Sequence, residues 1–449
     1  MKRVLIANRG EIALRAVRAC RRLGLEAVAV HSTADANSPH IWAADQAVCI
    51  GPPPPKASYL MTNALLEVAL RTGCDAVYPG YGFLSEKSEF AAACAAAGLM
   101  FVGPSAEAIA LMGDKVAARR TAAALGIPVV PGSAGGFTRA EDAEPHAAEI
   151  GFPLLLKASG GGGGRGMRIA AQPAEFIALF AQATAEAEAA FGQPEIYLER
   201  FFSAVRHVEI QVFGDRHGDA THLWERDCSV QRRHQKLVEE APSPVLPPEI
   251  RREMAEAALA LVRGLKYENA GTVEFIYDVE SGRFFFIEMN TRIQVEHPVT
   301  EALTGTDLVA EQFRVAAGER LSFETPSEPD GRSVIEFRIN AEDAARGFQP
   351  APGTLTTWRP PAGPALRLDT HVYEGYRVPP FYDSMLGKLI VTSSSRSETI
   401  ATALRALRRF EVVGVPTTIP FHVELLGTRA FLGGEVHTRW VENVFLKAE

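Results

Sequence analysis

Five consecutive glycines, Gly160 to Gly164, follow directly on an apolar run that ends in a lysine, Phe152-Pro153-Leu154-Leu155-Leu156-Lys157. Without a Cβ, successive backbone N–H groups can turn toward a phosphate, and a lysine at the strand end can reach the same phosphates. A glycine run is commonly a flexible linker. This one stands between two strand-like segments, 152–158 and 167–170, at hairpin-like spacing. That placement predicts a phosphate-covering loop. It is not a P-loop, because GxxxxGK[ST] is absent, and it is not the dinucleotide fingerprint, because a strand rather than a helix follows.

The remainder of the chain sets this loop in a mixed α/β and α+β protein. Over residues 2–112, short apolar runs (Val4 to Ala7, Ala27 to Val30, Ala76 to Tyr78) alternate with amphipathic stretches at 11–23, 58–71 and 86–97. This rhythm predicts a doubly wound parallel sheet. Gly51 to Pro55 reads as a stiff loop. A helix is expected over 114–126, and Pro131-Gly132-Ser133 then opens a compact unit running to about 204: two strands around the glycines, a long Ala/Glu-rich helix and a strand at 196–200. From 205 to about 300 the strands lengthen (Val208 to Phe213, Thr272 to Tyr277, Arg283 to Met289) and predict an antiparallel sheet with one covered face. Glu324 to Gly331 reads as a linker into a last α+β unit. The expected domains are 1–113, 114–330 (with a lid at about 131–204) and 331–449.

A net charge of -8 argues against a general nucleic-acid binder. No run of eighteen apolar residues is present, so no membrane span is expected. The start MKRVLIAN is too short for a signal-peptide core. Five cysteines without a CxxC pair fit reduced thiols, and a soluble cytoplasmic protein is expected.

Three further patterns carry chemistry. Glu274 lies in an apolar strand, and Glu288 and Asn290 share one face of the next, with a turn through Glu280-Ser281-Gly282 between them. Acids at such positions are either solvent-facing or, beside a phosphate loop, ligands for Mg²⁺, with Mn²⁺ as a substitute. Arg292, Gln294 and Glu296 alternate after them and share that face if the chain stays extended. A guanidinium beside a carboxylate suits binding a small planar anion and removing its proton, although any Arg/Glu pair can be a surface ion pair. The run Glu225 to Lys236 is dense in cations, and reads as either a solvated loop or the wall of a nucleotide and anion pocket. His207, His222 and His234 lack zinc spacing.

With these elements in order, the chain resembles biotin carboxylases of the ATP-grasp superfamily over essentially its whole length. The resemblance rests on IANRGEIA (6–13), PGYGFLSE (79–86), FPLLLKASGGGGGRG (152–166), RHVEIQVFGD (206–215), ERDCSVQRRHQK (225–236), FIEMNTRI (286–293) and MNTRIQVEHPVTE (289–301). It implies an ATP-grasp domain with a mobile lid between a parallel N-terminal domain and a C-terminal α+β domain. It further implies that Lys115, Lys157 and the loop glycines Gly162, Gly163 and Gly164 contact ATP phosphates. Glu199, Arg200 and Phe202 would hold adenine, and His207, Gln231 and His234 the ribose. Glu274 and Glu288 would hold Mg²⁺, with Asn290 assisting. Lys236, Arg292, Gln294 and the Val295 backbone would bind bicarbonate, and Glu296 would be the general base. Arg338 would hold the biotin ureido oxygen, with Tyr81 nearby. Tyr78 stands where the family often has histidine, and Arg200 where lysine is common.

The implied partners are a biotin carboxyl carrier protein, carboxyltransferase subunits and a second copy of the chain in a homodimer. No Ala-Met-Lys-Met motif occurs, so biotin is expected on another chain. The rival readings are another ATP-grasp carboxylate–amine ligase, and a non-catalytic nucleotide-binding module.

Overall fold

The computed structural model describes residues 1–158, 167–191 and 194–447. The glycine run, with Gly162, Gly163 and Gly164, lies outside the described residues.

The N-terminal part is the expected parallel sheet. Its strands are β1 (Arg3–Ile6), β2 (Glu26–Ser32), β3 (Gln46–Gly51), β4 (Ala76–Tyr78) and β5 (Met100–Phe101), in the order β3-β2-β1-β4-β5. Alternation along β1 explains why both faces are covered. Val4 and Ile6 pack with Ile12, Ala16 and Val17 of helix Gly10–Leu23. Leu5 packs on the opposite side with Leu65 of helix Thr62–Arg71 and Phe90 of helix Ser88–Ala96. The expected stiff loop at 51–55 needs correcting at both ends: Gly51 closes β3, and Pro55 opens a 3₁₀ turn, Pro55–Ala57. Strand β3 is largely exposed at the sheet edge, so it lacks a strong apolar signal. The helix expected over 114–126 spans Lys115–Ala124, and Asp114 caps it by accepting from the N–H groups of Val116 and Ala117 at 2.9 and 3.0 Å.

The next unit is a three-stranded antiparallel sheet, β7-β6-β8, built from β6 (Leu154–Ala158), β7 (Met167–Ala170) and β8 (Ile196–Arg200). Lys157 pairs in register with Met167 and Tyr197. Helix Pro173–Phe191 covers one face through Phe176 and Phe180, and a helix that the sequence pattern does not single out, Ala140–Ile150, packs beside it.

The central sheet has eight antiparallel strands. In chain order they begin β9 (Val205–Gly214), β10 (Ala220–Arg232), β11 (Gln235–Ala241), β12 (Asn269–Asp278), β13 (Arg283–Asn290) and β14 (Ser333–Asn340), followed by strands Leu366–Thr370 and Met385–Ser393. The spatial order is β13-β12-β9-β10-β11-β14, then 385–393, then 366–370. One sheet therefore runs unbroken across the irregular segment 324–331. Alternation along β9 divides its two faces: Val208, Ile210 and Val212 pack with helix Pro248–Leu265, while His207, Glu209 and Gln211 lie on the other face. The run 225–236 is strand and turn rather than solvated loop, and Glu225, Arg226, Asp227, Cys228 and Ser229 are all buried.

Chain extension stops at Asn290. The segment after it turns, and His297-Pro298 opens helix His297–Thr304 with proline in its first turn. The expectation that Arg292, Gln294 and Glu296 alternate along an extended strand is therefore corrected. They converge through a turn instead.

Candidate active site

The polar face of the central sheet carries the site. Glu274 and Glu288 are cross-strand partners on β12 and β13, and Thr272 faces Asn290. Asn290 donates to Glu274 Oε1 at 2.8 Å, and Lys115 Nζ lies 3.4 Å from Glu288.

Lys236 is the hub. It leaves β11 one residue after a two-residue turn in which Arg233 and His234 both have positive φ (48° and 65°). Neither is glycine, so this conformation is strained and is held by its surroundings. Lys236 Nζ donates to Glu296 at 2.6 Å, Glu209 at 2.7 Å, and Glu274 and Gln294 at 3.2 Å. Burial alone would lower its pKa, but the surrounding acids raise it well above the usual lysine value. Glu296 is 1% exposed and sits between Lys236 and Arg338, whose Nη2 donates to its other oxygen at 2.9 Å. Burial would raise the Glu296 pKa, yet Lys236, Arg338 and Arg226 together hold it far below the ordinary carboxylate range. Glu274 is likewise held well below, burial being overcome by Lys236 and His207, whose Nε2 lies 3.0 Å from it. His207 itself is raised: burial opposes this, and Glu274 outweighs burial.

Arg292 donates to Asn290 Oδ1 at 3.1 Å and lies 3.2 Å from Glu86 of the N-terminal part. Gln294 donates to Glu274 at 2.9 Å, and the Val295 carbonyl accepts from the fully buried Lys388 at 2.7 Å. Lys157 is ion-paired with Glu199, which also lies 3.6 Å from Arg119. Phe202 stacks on Phe285 with 5.2 Å between centroids.

A cleft of about 790 Å³ gathers most of the sequence-predicted residues: Lys115, Lys157, Glu199, Arg200, Phe202, His207, Gln231, His234, Lys236, Glu274, Glu288, Asn290, Arg292, Gln294, Val295, Glu296 and Arg338. Tyr81 lies apart from them. It lines a second cavity of about 370 Å³, between the N-terminal part and the 366–393 strands, and donates to Glu11. The two cavities meet at Gln235, Val295 and Arg338, which line both.

Two structural supports escape a reading of the sequence. Glu209 is fully buried and anchors Lys236, and Arg226 donates to Glu209, Gln211, Thr300 and Thr272. A signal for Glu209 is nevertheless present: it alternates with valines and isoleucine in RHVEIQVF, as Glu274 alternates in its own strand.

Three family descriptions match in succession: "Biotin carboxylase, N-terminal domain" over residues 1–109, "Carbamoyl-phosphate synthase L chain, ATP binding domain" over 114–324, and "Biotin carboxylase C-terminal domain" over 336–443. The chain is 50% identical over 443 residues to Biotin carboxylase 1 of Bacillus subtilis, covering 99% of this chain and 98% of that one. Among solved structures it resembles the biotin carboxylase domain dimer of Hydrogenobacter thermophilus 2-oxoglutarate carboxylase, in complex with MgADP, ADP and bicarbonate. That match has a TM-score of 0.89 at 44% identity and covers 98% and 97% of the two chains. It also resembles a solved biotin carboxylase component of pyruvate carboxylase, with a TM-score of 0.90 at 44% identity, covering 100% and 99%. By sequence along nearly its full length and by fold, the chain belongs to the biotin carboxylase family.

Proposed function

We propose that this chain uses ATP and bicarbonate to carboxylate biotin on a carrier protein, the first half-reaction of a biotin-dependent carboxylase. The observation that carries the reading is Glu296, clasped between Lys236 and Arg338 where the two cavities meet. One cavity offers cations and acids for a nucleotide and a small anion, and the other is a less polar chamber walled by Tyr81, Phe83, Tyr382 and Arg338.

The metal fits the donors present. Glu274 and Glu288 face each other across the hairpin with Asn290 on the same face, an all-oxygen set suited to Mg²⁺. Bound there, Mg²⁺ would neutralise charge on the ATP phosphates. Lys115 and Lys157 would hold the same phosphates; Glu199, Arg200 and Phe202 would flank adenine, and His207, Gln231 and His234 the ribose.

Lys236, Arg292, Gln294 and the Val295 backbone would bind bicarbonate. Paired with Lys236 and Arg338, Glu296 is a weak base, because both cations stabilise its ionised form. An entering anion competes for those cations, and Glu296 gains basicity as they are drawn away. It would then take the bicarbonate proton as the bicarbonate oxygen attacks the γ-phosphate, giving carboxyphosphate and ADP. Carboxyphosphate splits into CO₂ and phosphate. The phosphate takes the N1 proton of biotin, and N1 bonds to CO₂. Arg338 would stabilise negative charge on the ureido oxygen during that step. A closing lid at about 131–204 would exclude water from carboxyphosphate.

In this reading residues 1–113 and 331–449 wall the biotin chamber and 114–330 hold the nucleotide. The chain works in the cytoplasm as a homodimer within a carboxylase such as acetyl-CoA carboxylase of fatty acid synthesis, with propionyl-CoA, pyruvate or another acid as alternative acceptors. The dimeric Hydrogenobacter relative supports the assembly. Carboxyltransferase chains would meet the acceptor. The relative from pyruvate carboxylase has the same fold, as expected if the acceptor is chosen on those other chains.

The test is ADP release with Mg-ATP and bicarbonate, with and without biotin or biotinylated carrier. A biotin-dependent rise that Arg338→Ala abolishes is expected. Turnover indifferent to both biotin forms would instead favour a carboxylate–amine ligase.

A further inference from the structure

Beneath Arg338 lies a pair of acids that the reaction above does not use. Glu239 on β11 and Glu336 on β14 are cross-strand partners, and both are fully buried. Glu336 and Arg338 are two residues apart on one strand, so they share a face. Glu239 Oε1 accepts from Arg338 Nε at 2.6 Å and lies 2.5 Å from Nη2. Its other oxygen, and both oxygens of Glu336, are buried without a hydrogen-bond partner among the described residues.

Three carboxylates therefore crowd one guanidinium: Glu239, Glu296 and Glu336. The neighbouring cations are committed elsewhere. Lys388, opposite Arg338 on the next strand, pairs with Glu11 at 2.9 Å and with the Val295 carbonyl. Lys236 serves Glu209, Glu274 and Glu296. Helix His297–Thr304 covers this face through Val299 and Leu303, which pack with Ala241, Val334 and Ile390. Its titratable groups are His297, whose pKa burial holds well below the usual value, and Glu301, paired with Arg15 and Arg367. Among the described residues no cation is hydrogen-bonded to Glu336, Lys388 reaching it only through space, and two facing buried carboxylates are costly to keep both ionised.

We propose that Glu239 and Glu336 share one proton and act together as positioning residues for Arg338, holding its guanidinium at the junction of the cavities when Glu296 turns to bicarbonate. The proposal rests on the reading of Arg338 as the biotin-binding arginine. Arg338 has two carboxylate partners, and only one can leave without the side chain losing its aim. A protonated Glu336 donates toward the free Glu239 oxygen, directly or through one buried water, and so fixes the plane of the carboxylate that grips Arg338. Burial pushes Glu336 well above the ordinary value against the pull of Lys388, with Glu239 adding to the rise, and burial pushes Glu239 up to about 7 against the pull of Arg338.

The direct test is infrared spectroscopy of the whole protein with ¹³C-labelled glutamate. A carboxylic-acid C=O band that shifts in D₂O is expected to persist above about pH 6, where an ordinary glutamate is ionised. It should disappear in Glu336→Gln. The kinetic test is Glu239→Gln: the KM for biotin should rise about tenfold while the KM for Mg-ATP stays within about twofold, the split expected when only biotin's partner is misaligned. A wild type that responds to biotin but shows no such band overturns the pair, as does a Glu239→Gln variant in which both KM values rise together. A wild type that shows the band but ignores biotin overturns the functional reading, and with it the positioning role.

Discussion

Arg338 Nη2 and Glu296 Oε2 stand 2.9 Å apart, and their contact joins strand β14 to the turn that follows β13. Each group neutralises the other. Glu296 is held ionised and weakly basic, and the guanidinium is held but occupied. On the function proposed above, an anion entering beside Lys236 and Arg292 would loosen both at once, tying the basicity of Glu296 to the freedom of Arg338.

Removing the carboxylate should show this most directly. In Glu296→Gln the side chain keeps its size but cannot accept a proton. Biotin-dependent ADP release is expected to fall by about 10²–10⁴, the usual worth of a positioned general base. Nucleotide affinity measured by calorimetry should hardly move, since Glu296 is hydrogen-bonded to Lys236 and Arg338 and to neither Lys115 nor Lys157. Full bicarbonate-dependent turnover in this variant would mean that another group takes the proton.

Arg226 makes a structural prediction. It is fully buried and donates to Glu209 at 2.6 Å, Gln211 at 2.7 Å, Thr300 at 2.9 Å and Thr272 at 3.1 Å. Arg226→Met fills similar volume but removes the partner of Glu209 Oε1, leaving Lys236 at 2.7 Å, Gln294 at 3.4 Å and His207 at 3.8 Å, all on Oε2. Breaking a buried pair from one side costs about 3–5 kcal/mol. Denaturant unfolding should report a loss of that size, and an unchanged midpoint would show that the partners on Oε2 satisfy Glu209 without Arg226.

Arg226 and Glu209 also mark where the sequence stops being legible. Glu274, Glu288 and Asn290 can be placed because each interrupts an apolar, period-two pattern, and the hairpin that pairs them is local. The run 225–236 stays ambiguous because its charges are neutralised by distant elements: Asp227 by Arg206 at 2.8 Å, Glu225 by Arg251 at 2.8 Å, Arg226 by Glu209. Charge density alone cannot separate such a strand from a solvated loop. Extension through 290–296 fails in the structure although Pro298, at a helix start, is in plain view. The continuity of the central sheet across 324–331 has no local signal, since strand pairing between β11 and β14 is set by tertiary packing.

The nucleotide end of the cleft should separate binding from stability. Lys115 is 83% exposed at its side chain, and Lys157 is half-buried against Glu199. Lys115→Ala and Lys157→Ala are each expected to raise the KM for Mg-ATP by about tenfold or more, one charge-assisted phosphate contact being worth about 1.5–3 kcal/mol. Melting temperatures of the free protein should stay within about 2 °C, because exposed ion pairs contribute little. A large loss of stability with little change in KM would reassign both lysines to the fold.

Acid should destabilise the protein before its ordinary carboxylates titrate. Burial lowers His40, His222 and His422 from 6.5 to about 4 and His371 to about 3. Above the unfolded value of 6.5 these groups are neutral in both states and contribute nothing to pH dependence. Below it the unfolded chain binds protons that the native state refuses, so stability falls as pH drops and continues to fall until the native values are reached. Each such histidine contributes about 1.4 kcal/mol per pH unit, and four together about 5 kcal/mol per unit. His207 works in the opposite sense, because Glu274 raises it and its protonated form favours the native state. Urea midpoints should therefore drop sharply between about pH 6.5 and pH 5, well above the range where ordinary carboxylates take up protons. His422 Nε2 donates to the Arg338 carbonyl across 2.8 Å, and Gln can keep a donor there. His422→Gln is expected to flatten the slope by one group's share, about a fifth once the buried His297 is counted with these four. A stability profile level across that pH range would show that the four imidazoles take up protons in place.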